Sequence, residues 1–124
     1  MLVLPRDPTV DSQTPPSDIA VLGEIRDVAI VLIDTYASRS GGLSYCQAGE
    51  EQFLRVVSLA TPGAGEVATT KVASCRENLE LADARIELDR PSRIVRIHWL
   101  SGPGKKPEVR EIRIGTDGRV LKQR

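Results

Sequence analysis

His98 is the only histidine in the chain, and it is the first residue to ask for chemistry. A general base needs a nucleophile and an orienting carboxylate within hydrogen-bond reach. Cys46 or a serine is the available nucleophile, but no spacing in the sequence ties either to His98. A zinc site would require this single imidazole to meet both cysteines, Cys46 and Cys75, and a carboxylate. The simpler expectation is a surface strand histidine beside Arg96. No metal site, catalytic residue or cofactor is therefore assigned.

Cys46 and Cys75 do not form a C-x-x-C or other close-spaced metal pattern. They are expected to pair as a disulfide, which in the chain-entropy model stabilises a loop of this length by about 3–4 kcal/mol. The alternative is two reduced thiols packed as small hydrophobes. Gly63-Ala64-Gly65-Glu66-Val67-Ala68 matches the G-x-G-x-x-A dinucleotide fingerprint, with Asp89 further on. That chemistry needs a helix opening after the glycines to receive a pyrophosphate. Thr61-Pro62 lengthens the turn, and too little chain remains for a doubly wound sheet, so a hairpin loop is expected. Gly104-Lys105-Lys106 lacks the spacing of a phosphate loop and reads as an exposed basic loop able to face an acidic partner. Glu50-Glu51, Glu77, Glu80, Glu87, Glu108 and Glu111 interleave with Arg76, Arg85, Arg96, Arg110 and Arg113. Cross-strand ion pairs on a solvated sheet face account for them.

The elements holding these residues follow from period and punctuation. Residues 1–17 contain four of the eight prolines, whose fixed φ and missing donors favour an extended or disordered arm. Residues 18–124 are expected to form a single domain. Ser17 or Asp18 caps a predicted helix in which Leu22, Ile25, Ala29, Leu32 and Tyr36 recur at helical spacing, ending near Ser38 before Gly41-Gly42. The β-branched run Val28, Ile30, Val31, Ile33 leaves a strand open there. Strands are expected over Gln52 to Leu59, Glu66 to Cys75, Ala84 to Asp89, Arg93 to Leu100, Glu108 to Ile114 and Arg119 to Lys122, with Thr116-Asp117-Gly118 as the last turn. Pairing about the Thr61–Gly65 turn sets residues near 51 opposite Cys75. Residues 66–82 also satisfy helical spacing and stay ambiguous. The fold expected is α+β, one N-terminal helix packed on a five- to six-stranded, mostly antiparallel sheet.

With 17 basic and 17 acidic residues the formal charge balances, which argues against broad electrostatic capture of nucleic acid or membrane. No apolar run is long enough for stable membrane insertion. The start lacks the basic and apolar regions of a leader, and the proline-rich arm resembles the tether that follows a removed one, so a mature periplasmic or secreted protein is expected. A cytoplasmic accessory domain for dimerisation or small-molecule binding is the rival. The function expected is non-enzymatic: a protein-binding module, in its most concrete form an inhibitor or immunity protein for a cell-envelope enzyme. Its partner is another protein and its own state either monomer or homodimer. Arg96, His98, Lys105 and Lys106 form the candidate interaction surface.

Overall fold

The run expected to be a helix is a β-hairpin. In the computed structural model, which describes residues 4–10, 14–38, 49–60 and 65–121, β1 spans Asp18–Ile25 and β2 spans Ala29–Ala37, paired antiparallel. Asp27 takes the left-handed conformation, with φ 59°, in the turn between them, a geometry that aspartate tolerates better than most residues. No helix occurs among the described residues, so the α+β assignment is corrected to all-β. The misreading has a physical cause. Strand β2 is covered on both faces, and nearly all of its residues are buried or half-buried. A strand covered on both sides loses the period-two alternation that marks a half-exposed one, and the remaining apolar run fits a helical stripe.

Five further strands follow: β3 Glu50–Ser58, β4 Val67–Ser74, β5 Glu80–Asp89, β6 Ile94–Ser101 and β7 Glu108–Arg113. They form two antiparallel sheets in which each strand lies beside its chain neighbour, β1-β2-β3-β4 and β5-β6-β7. Among the described residues the strands number seven, against the five or six expected. Residues 66–82 resolve into β4, a turn and the start of β5. Asn78 adopts φ 57° in that turn, and Ser74 and Leu79 bond to each other on either side of it. The last expected strand is a single bridge, Ile114 to Val120, and Lys122 lies outside the described residues.

The sheets pack face to face. Val31, Leu54, Val56 and Val72 from the first meet Val95, Ile97, Trp99 and Ile112 from the second, each buried side chain contributing about 1.5–3 kcal/mol of transfer free energy. Trp99 Nε1 donates to the Val72 carbonyl at 2.8 Å across the interface, which satisfies the indole where water is excluded. At one end Gly118 is obligatory. Its φ is 81°, and an added Cβ would lie 1.9 Å from the Val28 carbonyl oxygen.

No disulfide is seen among the described residues. Cys75 is not a free thiol, but Cys46 lies outside the described residues, and its expected pairing with Cys75 lies outside them too. The sequence-derived register is close: Glu51 stands opposite Ser74, one residue from the expected Cys75.

Candidate functional site

Alternation puts Asp34 and Tyr36 of β2, Glu51, Phe53 and Arg55 of β3, and Thr69 and Lys71 of β4 on the face of the first sheet that points away from the inter-sheet core. Residues 4–10 cross this face. Val10 packs with Tyr36 and Phe53 in a second small core. Arg55 and Asp34 are wholly buried and joined in a two-pronged pair, Nε to Oδ1 at 2.7 Å and Nη2 to Oδ2 at 2.8 Å. Arg55 Nη1 donates to the Pro5 carbonyl at 2.5 Å and to Thr69 Oγ1 at 3.0 Å. The Tyr36 hydroxyl donates to Asp34, and Arg6 stacks over the Tyr36 ring at 4.4 Å.

Beside this pair, Lys71 Nζ reaches Asp7 at 2.6 Å, Glu77 at 2.8 Å and Glu51 at 3.4 Å. Glu51 is fully buried and accepts from Ser38 Oγ, Ser74 Oγ and the Cys75 backbone N–H. Burial pushes its carboxyl up, but hydrogen bonds from Ser38, Ser74 and Thr9 and the charge of Lys71 outweigh that and hold it below the usual carboxylate range. Burial acts on Asp7 in the same upward sense and is likewise outweighed, by hydrogen bonds from Lys71 and Thr9, so its net shift is downward. For Lys71 burial pulls downward, while Asp7 and Glu77 raise it overall. Burial, then the hydrogen bond to Asp34, pushes the Tyr36 phenol up. Each nitrogen of the Arg55 guanidinium donates and Glu51 is bonded at both oxygens, so the arrangement clasps the arm to the sheet. Sequence reading placed Glu51 on a solvated face and did not single out Asp34, Arg55 or Lys71.

The residues chosen from sequence fall in two places. Arg96 and His98 lie on the outer face of the second sheet, where Arg96 pairs with Glu111 at 2.7 Å. His98 Nε2 is 3.5 Å from Glu87 Oε1 and makes no hydrogen bond among the described residues. Exposed Leu100 and Val109 share that face. Lys105 and Lys106 sit in the exposed β6–β7 loop, and Lys105 donates to the Glu77 carbonyl. The four thus sit on two elements, a strand face and the loop that follows it. The G-x-G-x-x-A segment leads from Gly65, φ 84°, directly into strand β4, so it has no helix N-terminus to offer a phosphate. No group of three metal-ligating side chains occurs among the described residues.

A different surface emerges at the edge of the first sheet. Asp18, Ile19, Ala20 and Val21 of β1 are all exposed, with Ile19 at 51% and Val21 at 63%. Both side chains stand on the outer face, opposite Asp34 and Leu32 of β2. Among the described residues no strand pairs with the free side of this segment. A bulge at Leu22, between Val21 and Gly23, ends the exposed stretch, and Leu22 and Ile25 turn into the core. Because this segment reads as part of a helical stripe, sequence reasoning missed it; the β-branched residues were the signal that pointed the other way.

Comparison with known protein families, curated proteins and solved structures finds no match to this chain.

Proposed function

We propose that the domain is a non-enzymatic protein-binding module that accepts an extended segment of a partner protein along the free edge of β1. The observation carrying this reading is the run Asp18–Val21, where an unpaired strand edge coincides with two exposed β-branched side chains on one face. Strand addition draws affinity from main-chain hydrogen bonds and specificity from alternate side chains. Natural edges are ordinarily shielded by charge, proline or a bulge, and here the bulge at Val21–Gly23 limits the open stretch rather than closing it. An exported inhibitor or immunity protein for a cell-envelope enzyme is the concrete form of the proposal.

The test places a photo-crosslinking residue at Val21, and at Leu100 as a comparison, in protein incubated with envelope and cytosol fractions of the source. Crosslinks from position 21 to one partner are expected, with the amides of 18–21 gaining exchange protection when that partner is added. Ile19→Lys with Val21→Lys is expected to weaken binding about tenfold or more while leaving the thermal midpoint unchanged. Crosslinks confined to position 100, or a double variant that binds normally, would sink the reading.

A second reading rests on the same edge. Antiparallel pairing of two copies about Ala20 sets Ile19 of one against Val21 of the other, so the segment is self-complementary and favours a homodimer. A concentration-dependent dimer that the lysine pair abolishes, with no foreign protein captured, would select it. The same fractionation places the protein in the envelope or the cytosol.

A further inference from the structure

At one end of the sandwich three turns converge, and each brings a side chain to the same hollow. The β1–β2 turn contributes Arg26, the β5–β6 turn Arg90 and Arg93, and the turn after β7 Thr116. With Ile25 and Val28 they line a space of about 310 Å³, within the lower range of small-ligand pockets. No carboxylate is among these lining residues. Among the described residues none of the three arginines is in an ion pair.

Two of the three cations are also held in place. Arg93 Nε donates to the Ile114 carbonyl at 3.0 Å, which fixes the guanidinium at one nitrogen. Its backbone adopts φ 56°, an uncommon conformation for arginine, and its N–H closes the turn on the Arg90 carbonyl at 3.2 Å. Arg90 lies across β1 where the chain has a glycine: a Cβ at Gly23 would stand 2.9 Å from Arg90 Nη2. The bare backbone at Gly23 therefore leaves room for that guanidinium.

Three arginines line one hollow with no carboxylate among the lining residues, and a multiply charged anion would balance that charge. Guanidinium forks match the oxygens of phosphate in pairs, and Thr116 is among the lining residues. Ile25 and Val28 give the remaining wall an apolar surface. We infer that this hollow binds a small phosphomonoester, the phosphate held by Arg26, Arg90 and Arg93 and the apolar body resting on Ile25 and Val28. The site is separate from the β1 edge segment proposed to bind protein.

The full chain is titrated with phenyl phosphate, inorganic phosphate, benzyl alcohol and a short single-stranded oligonucleotide, following backbone amide resonances. Phenyl phosphate is expected to shift the amides of 25–28, 90–93 and 116, and to bind about tenfold more tightly than inorganic phosphate. Benzyl alcohol is expected to shift none of them. Arg90→Gln and Arg93→Gln should each weaken phenyl phosphate about tenfold, whereas Arg110→Gln, on β7 beside Trp99, should not. If Arg93→Gln perturbs the turn, Arg26→Gln, at an exposed position, gives the same test without touching a structural bond. The inference is overturned if phenyl phosphate leaves these amides unmoved, if the glutamine variants bind it normally, or if the oligonucleotide binds there more tightly than the monoester.

Discussion

Glu51 shows how a buried carboxylate is kept charged. Three donors and the Lys71 ammonium surround it, and together they outweigh the cost of burial. Its carboxyl titrates lower in the folded chain than in the unfolded one. The stability it contributes is therefore complete above the unfolded carboxylate range and is lost as pH falls through the lowered folded value. Asp7 acts in the same direction. Lys71 is raised in the fold, so its contribution is complete below the ordinary lysine range and fades only as pH rises through the raised value. Urea unfolding is thus expected to show a plateau around neutral pH, an acid decline and an alkaline decline. Glu51→Gln should lower the plateau by about 1–3 kcal/mol and flatten the acid limb; an acid limb as steep as that of the natural protein would count against the assignment. Little of this was legible at the residue scale. Glu51 and Lys71 look like surface residues of a half-exposed strand, and the arm together with Ser38 and the turn after β4, all distant from Glu51 in sequence, surrounds them.

Among the elements, β3, β6 and β7 were readable because turns bound them and, on β6, the Val95, Ile97, Trp99 face alternates with Arg96 and His98, while β4 stayed ambiguous because it also satisfies helical spacing. Strand β2 was not readable, since covering on both faces erased the alternation that separates strand from helix, and β1 was read with it because Leu22 and Ile25 continue the same helical spacing. The β1 edge disappeared with them. Trp99 was correctly placed on a core-facing side, but its role as a tie between sheets depends on a carbonyl of β4 that no local pattern names. Trp99→Phe retains most of the ring while leaving the Val72 carbonyl without its donor. A loss of about 1–3 kcal/mol is expected, measured as a lowered urea midpoint with an unchanged slope. A change within a few tenths of a kcal/mol would show that the bond contributes no net stability.

For the molecule as a whole, two sheets built from neighbouring strands need only short-range pairings, whereas the arm needs partners far along the chain. Pro5 meets Arg55 across 50 positions and Asp7 meets Lys71 across 64. Val10→Ala, which thins the small core with Tyr36 and Phe53, is expected to cost about 1–3 kcal/mol and to raise hydrogen exchange at the arm's amides more than at those of β6. Uniform acceleration across both sheets would mean that the arm and body open together. The long reach of the arm also fixes an order of events during synthesis. Residues 4–10 leave the ribosome early but lack their anchor on Lys71 until β4 has followed them out, so for that interval Arg55 and Asp34 stand in a half-made sheet with one flank open to water. Whatever meets the nascent protein in that window finds its most charged interior face before the chain has closed over it.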